Sequence, residues 1–202
     1  MILSHDHADH TRSAGVFSRM FGLPLCMTGP THAAIGGRLG RVASVRVFEP
    51  GEVLQFGGLR VETVVTAHDG AGGVGFVLSD GVRRLGILTD LGHVFPGLGP
   101  LIASLDAVYI ESNYDPEMLA NGPYPFSVQE RIRGSGGHLS NHEAANLLRD
   151  QSNGRLRWVC LAHLSETNNR PELALRTHRA ALGRRLPIHV ARRDRAVGPF
   201  HL

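Results

Sequence analysis

The sequence predicts a layered fold that mixes α-helices with β-strands, and three observations predict it. Short apolar or alternating runs, bounded by Gly, Pro and Asp turn signals, recur along the 202 residues and are interleaved with amphipathic stretches. Four of the apolar runs end directly in a histidine or an aspartate. The composition, 42% hydrophobic and 19% charged, is that of a chain able to bury one substantial core.

The elements follow in order. Residues 1–4 (MILS) read as the end of a buried strand that runs straight into HDHADH. TRSAGVFSRMFG, residues 11–22, reads as a helix stopped by Gly22, and LPLCMT as a short strand. THAAIGGRLGRV reads as a weak helix interrupted by Gly36 and Gly37. From Val45 the pattern changes to alternation, with PGE and GG separating short strands up to Val65. VGFVLSDGVRRLGILTD is a hairpin turning at Asp80-Gly81, and SLDAVYIESN is a buried strand. HEAANLLRDQ is an amphipathic helix for which Asn141 is the expected cap. RWVCLAH is a strand, RPELALRTHRAAL a helix, and LPIHVARRDRAVG a strand with a basic tail. No internal repeat or low-complexity linker divides the chain, so it reads as a single domain over residues 1–202.

Several function classes are excluded at this level. Cys26 and Cys160 sit in apolar surroundings and form neither a disulfide framework nor a CxxC knuckle. No stretch is long and apolar enough to span a membrane, and no basic-then-apolar leader is visible, so the expected location is the cytoplasm. The Gly-rich GAGG and GSGG loops are followed by no GK[ST], which excludes a P-loop. Lys and Arg exceed Asp and Glu by three, a balance compatible with a polyanionic partner.

Chemistry concentrates in the 12 histidines. HDHADH places His5, His7, Asp9 and His10 within six residues. At a spacing of two in extended backbone, His5 and His7 point the same way and can share one metal ion. Asp9 and His10, on the next turn, can reach a second. Imidazole mixed with carboxylate suits Zn²⁺ as well as Mn²⁺ or Fe²⁺. The strand ends MILS–His5, VVTA–His68, GILT–Asp90 and VCLA–His163 deliver ligand-type residues to loops at one edge of a sheet.

HDHADH fits the HxHxDH signature of the metallo-β-lactamase superfamily, and His68, Asp90 and His163 follow in that superfamily's order. The stretches TAHDGAGGVGFVL, LGILTDLG, VYIESNYDPEMLANGPYPFSVQERIRGSGGHLSN and LAHLSETNN narrow the similarity. Together they resemble the YycJ/WalJ group of that superfamily, associated with exonucleolytic action on duplex DNA.

The resemblance implies a four-layer αββα sandwich. It also implies a first metal site from His5, His7 and His68, a second from Asp9, His10 and His163, and Asp90 bridging both. Two divalent cations, Zn²⁺ or Mn²⁺, would supply an activated water, with Asp90 or Asp9 assisting proton transfer. His138 in GGHLSN is a candidate substrate contact, supporting residue or loop-packing residue. Glu111, Ser112 and Asn113 are expected to support the site. Ser165, Asn168 and Asn169 could donate to a phosphate or cap the next helix. Arg131 and Arg133 could meet a nucleic-acid backbone, whereas the tail Arg192, Arg193 and Arg195 reads as a solvated face. His32, His93, His142, His178, His189 and His201 are expected to be non-ligands.

The implied function is hydrolysis of DNA phosphodiesters. Hydrolysis of a thioester, lactone or β-lactam on the same scaffold, or metal-dependent regulation with little turnover, are the rival readings. Members of the superfamily carry two or three strands before HxHxDH, whereas four residues precede it in this sequence. The expectation is therefore a domain whose first strands are missing, with an exposed sheet edge and uncovered apolar surface.

Overall fold

The computed structural model describes residues 1–151 and 153–202. Two sheets stack face to face. The smaller pairs β1 (Leu25–Thr28) in parallel with β2 (Val45–Phe48). The larger has seven strands in sequence order: β3 (Val53–Phe56), β4 (Leu59–Val65), β5 (Val74–Ser79), β6 (Arg84–Leu88), β7 (Ala107–Glu111), β8 (Trp158–Ala162) and β9 (Ile188–Val190). The β3 to β6 pairs are antiparallel hairpins, and the β6 to β9 pairs are parallel. Parallel neighbours need crossovers, and helices supply them.

Those helices fix the outer layers. α4 (Leu98–Ala103), α7 (Asn141–Gln151) and α8 (Pro171–Leu182) cover one face of the large sheet. There Leu98, Ile102, Leu148 and Ala174 pack on Val77, Leu88, Val108, Ile110, Val159 and Leu161. On the opposite side of the molecule, α2 (Ala14–Phe21) and α3 (Gly29–Leu39) cover the outer face of the small sheet, with Ala14, Ile35 and Leu39 against Leu25 and Met27. Between the sheets lie Cys26, Phe48, Leu54, Val61 and Val74. The order helix, sheet, sheet, helix is the expected four-layer sandwich.

The segment Met1–Ser4 forms no full strand but joins the two sheets. Leu3 N–H donates to Cys26 O at 2.9 Å, and Val74 N–H donates to Ser4 O at 3.0 Å. The next residue, His5, therefore emerges where the sheets meet. β9 lies beside β8 at the far edge of the large sheet.

Two local expectations are corrected. The helix across Gly36 and Gly37 is continuous from Gly29 to Leu39, because the Thr28 side chain caps its start and Pro30 occupies its first turn. The cap of α7 is Ser140: its Oγ accepts the Glu143 N–H at 3.2 Å while Glu143 Oε2 accepts the Ser140 N–H at 2.8 Å. Asn141 instead accepts from Ser112 Oγ and binds Asn169, beneath the site loops. Short helices α5 (Pro116–Ala120) and α6 (Phe126–Arg133) fold in the stretch after β7, to which the sequence reading assigned no element.

The face of the large sheet that looks inward is not fully covered. The small sheet covers one end of it. The C-terminal segment covers the other, where Phe200 packs with Trp158, Cys160 and Tyr109, and Trp158 Nε1 donates to His201 O at 3.0 Å. Between them a groove of about 590 Å³ is lined by Ile2, Phe56, Leu59, Phe76, Leu78 and Ile87.

Candidate metal centre

Strand ends converge on one rim of the sandwich. His5 follows the junction segment, His68 follows β4, Asp90 follows β6, Glu111 ends β7 and His163 follows β8. Asp90 and His163 adopt φ of 57° and 56°, the positive-φ non-glycine residues among those described. Such backbone costs on the order of 1–3 kcal/mol and persists where surrounding structure imposes it, commonly at functional sites. It turns each side chain sharply from its strand into the rim. α1 (Ala8–Thr11) does the same for Asp9 and His10, displaying them on one helical turn. Space is tight beneath His5: a Cβ on Gly70 would collide with its ring.

Hydrogen bonds orient the rings. Ser4 Oγ lies 3.1 Å from both His5 Nδ1 and His10 Nδ1, leaving each Nε2 facing the centre. His68 Nδ1 donates to Gly137 O at 2.8 Å, which also frees its Nε2. His163 Nδ1 lies 3.1 Å from Glu111 Oε1, with Nε2 at 3.5 Å from both Asp9 Oδ2 and Asp90 Oδ1. His7 presents Nδ1 to His68 Nε2 at 3.1 Å. Fixing one imidazole nitrogen so that the other is offered as a lone pair is how proteins prepare histidine for a metal.

Four overlapping clusters of ligand-type side chains result: His5, His7 and His68; Asp9, His10 and His163; His5, His10 and Asp90; and Asp90, Glu111, His138 and His163. Within each cluster the ligand atoms lie within 4.8 Å of one another. Asp90 stands between the first two, with Oδ1 3.6 Å from His68 Nε2 and Oδ2 3.3 Å from His10 Nε2.

The electrostatics show what the centre lacks. Burial pushes the His5 pKa down to about 4 and lowers that of His10. A hydrogen bond from His163 holds Asp9 well below the usual carboxylate range. Burial disfavours charge on Glu111, yet hydrogen bonds from His138 and His163 outweigh it and keep its carboxyl ionised. Burial likewise opposes charge on His163, but hydrogen bonds to Asp9 and Glu111 and the Asp90 charge push it up to about 10. The carboxylates of Asp9, Asp90 and Glu111 thus favour positive charge at this point of the centre.

A divalent cation pair fits this donor set. His5 Nε2 and Asp90 Oδ2 are buried with no hydrogen-bond partner. An unpaired buried polar group costs about 1–3 kcal/mol, so native structures rarely leave one. Both atoms belong to one cluster, completed by His10. A cation bound there would pair both atoms and offset the carboxylate charge.

The structure brings together His5, His7, Asp9, His10, His68, Asp90 and His163, and places His138 against them. His138 Nδ1 donates to Glu111 Oε1 at 2.7 Å and lies 3.9 Å from Asp90 Oδ1. His93 points away, with Nδ1 donating to Ser135 O at 2.8 Å. His178 is buried in α8 and donates to Ala174 O.

Two carboxylates carry more than sequence reasoning assigned them. Glu111 reaches three loops, accepting from Leu91 N–H at 3.0 Å and Leu139 N–H at 3.2 Å besides His138 and His163. Asp69, beside His68, places Oδ1 3.6 Å from His7 Nε2 and His68 Nε2, while Arg131 Nε donates to its Oδ2 at 2.7 Å. Its signal was adjacency to a strand-end histidine.

The fold and this centre agree with what the chain is similar to. The family model described as "Beta-lactamase superfamily domain" matches residues 1–163, and the chain belongs to that superfamily. It is 34% identical over 176 residues to the exodeoxyribonuclease YycJ of Bacillus anthracis, covering 86% of this chain and 67% of that protein. To the exodeoxyribonuclease WalJ of Streptococcus pneumoniae serotype 2 it is 31% identical over 178 residues, covering 86% and 66%. It therefore spans about two thirds of the length of these relatives. Among solved structures, the metallo-β-lactamase fold protein YhfI from Bacillus subtilis superposes with a TM-score of 0.71 at 17% identity, covering 94% of this chain and 73% of that one. Zn²⁺-bound PqqB from Methylobacterium extorquens gives 0.73 at 17%, covering 94% and 69%. At such identities the likeness is one of fold, and this fold implies divalent metal ions.

Proposed function

We propose that the chain is a dinuclear metal-dependent phosphodiesterase that removes nucleotides from DNA, using Zn²⁺ or Mn²⁺, in the cytoplasm. The observation that carries the reading is the pair of three-residue clusters on either side of Asp90. The exodeoxyribonuclease names of its relatives supply the substrate class. The free, buried cysteines suit a reducing compartment, and no helix among the described residues is long and apolar enough to cross a membrane.

In this reading His5, His7 and His68 would hold the first cation and Asp9, His10 and His163 the second, with Asp90 shared between them. The bound pair supplies an activated water and charge stabilisation for an in-line displacement at phosphorus. The chain's own groups handle protons and position. Asp9, half-exposed at the mouth, is placed to accept a proton from the attacking side. Glu111 holds His138 through Nδ1, so that its Nε2 can carry a proton to the departing oxygen. The test offers the metal-loaded protein 5′-phosphorylated duplex DNA, bis(p-nitrophenyl) phosphate and an acyl thioester. Nucleotide release from DNA is expected. Turnover of the thioester with both phosphodiesters untouched would overturn the reading.

We further propose that residues 1–202 form one domain whose small sheet is completed by strands outside this stretch. The support is the apolar groove, where Phe56, Leu59 and Ile87 remain 39%, 37% and 36% exposed, and the additional third of the relatives' length. Residues 1–202 alone should self-associate, and a form extended by an upstream segment of two or three strands should melt higher in calorimetry. An equally stable monomer from residues 1–202 would refute this.

A further inference from the structure

The metal clusters open sideways into a pocket whose outer wall the hydrolytic chemistry does not use. It has a volume of about 460 Å³, within the roughly 300–1,000 Å³ of small-ligand sites. Asp9, His138 and His163 form its inner wall, so it is continuous with the centre. Its outer wall comes from three separate parts of the chain: Tyr124 between α5 and α6, Ser165 and Thr167 after β8, and Arg193 after β9.

Each group is posed for a ligand. The Tyr124 hydroxyl donates to Thr167 Oγ1 at 3.3 Å, which ties the half-buried ring to the wall. Ser165 Oγ accepts the Asn168 N–H at 3.1 Å and keeps its own proton to give. Arg193 leans over the opening with Nη1 on Glu166 Oε2 at 2.9 Å. That ion pair is exposed on both sides, at 65% and 74% of side-chain surface, so its contribution is small and a phosphate can compete for the guanidinium. From the sequence, Arg193 reads as a solvated charge; the fold carries it to the rim of the centre.

We propose that this pocket receives the terminal nucleotide of the strand being cut, with the Tyr124 ring against its base and Arg193 and Ser165 on its phosphate. A flat ring, a cation and hydroxyl donors in one nucleotide-sized recess beside a hydrolytic centre match an aromatic base joined to a dianion. Arg binds phosphate through its planar fork, and aromatic rings stack on any base with little sequence preference. A recess holding one nucleotide beyond the scissile bond would favour chain ends over interior positions. The proposal rests on the phosphodiesterase reading but is tested apart from it.

The experiment is equilibrium binding of deoxyadenosine 5′-monophosphate to the metal-loaded full-length protein, by calorimetry, with metal content measured in parallel. The wild type should bind. Arg193→Gln and Tyr124→Ala should each weaken binding at least ~5-fold, the lower bound for loss of a stacked base. Tyr124→Phe should retain most of the affinity, since it keeps the ring. Metal content should stay at the wild-type value in all three, which separates a ligand contact from a collapsed site. Adenosine should bind more weakly than the monophosphate to the wild type, and Arg193→Gln should erase that difference. If the wild type binds no mononucleotide, or if neither substitution weakens binding, the pocket assignment is overturned even where DNA is hydrolysed. Mononucleotide binding with this mutational pattern in a protein that cleaves no phosphodiester would support the pocket and overturn only the reaction.

Discussion

On one side of Asp90 the cluster is three imidazoles, and on the other it is two imidazoles and a carboxylate. His5 and His68 are buried at 1% and 7% exposure, and donation from their Nδ1 groups to Ser4 Oγ and Gly137 O leaves each Nε2 as a lone pair. Burial keeps His5 neutral, the state in which imidazole binds metal. Across Asp90, Asp9 is 65% exposed, and hydrogen bonds to Asp9 and Glu111 with the Asp90 charge raise the pKa of His163. Two of the three rings in the first half are buried, whereas the second half carries an exposed carboxylate. This difference teaches that the two positions should fill unequally. A cation entering the first half meets His5, which burial favours in its neutral form, whereas one entering the second competes for His163 with the proton that Asp9 and Glu111 favour there.

The harshest test of the comparison removes what the halves share. Asp90→Asn keeps shape but deletes the charge between them. The expected outcome is loss of the second equivalent of metal in elemental analysis and a fall in DNA hydrolysis of at least ~100-fold. Near-normal activity would mean that Asp90 serves only its loop.

The next pair separates the halves. His68→Ala should strip the first-half metal and weaken the second, because Asp90 loses a partner on the buried side. Asp9→Asn should lose only the second-half metal, leaving about one equivalent bound. Equal losses in the two variants would dissolve the distinction between a buried and an open half.

A milder change sharpens the role of Glu111, which ties His138, His163, Leu91 and Leu139 to one carboxylate. Glu111→Gln should reduce second-site metal affinity or activity by ~10–100-fold, the usual effect of removing a residue that orients a ligand. Titration calorimetry with Mn²⁺ reads it, and unchanged affinity together with unchanged rate would assign Glu111 to folding alone. The smallest effect belongs to His93→Ala. His93 bonds Ser135 outside the clusters, so metal content and rate should match the wild type. Metal loss equal to that of His68→Ala would show that a ligand has been misassigned.

The strand-end histidines and aspartates were legible in the sequence because a buried run followed at once by a ligand-type residue can hardly be placed elsewhere than at a sheet rim. The layers were legible for a related reason: period-two alternation in β3 to β6 and amphipathic stretches in α7 and α8 are strong local signals. What escaped depends on contacts far apart in the chain. Asp69 is significant only because Arg131 on α6, 62 residues later, holds it beside His7. Glu111 looks like the end of one more strand until three loops are folded onto it. Helices α4, α5 and α6 have 6, 5 and 8 residues, too short for a clear helical period, although Asp115 followed by Pro116 is a start signal for α5. Arg193 could not be told from its basic neighbours, because its position beside Ser165 is set by β9 pairing with β8.

The central claim is a centre for two cations with unequal halves, and a stepwise metal titration tests it most directly. Metal-free protein of residues 1–202, titrated with Mn²⁺ or Zn²⁺ in a calorimeter, should show two equivalents in two resolved affinity classes. Only the weaker class should disappear in Asp9→Asn. A folded protein that takes up no metal after reconstitution, or that retains both classes in Asp9→Asn, would contradict the account.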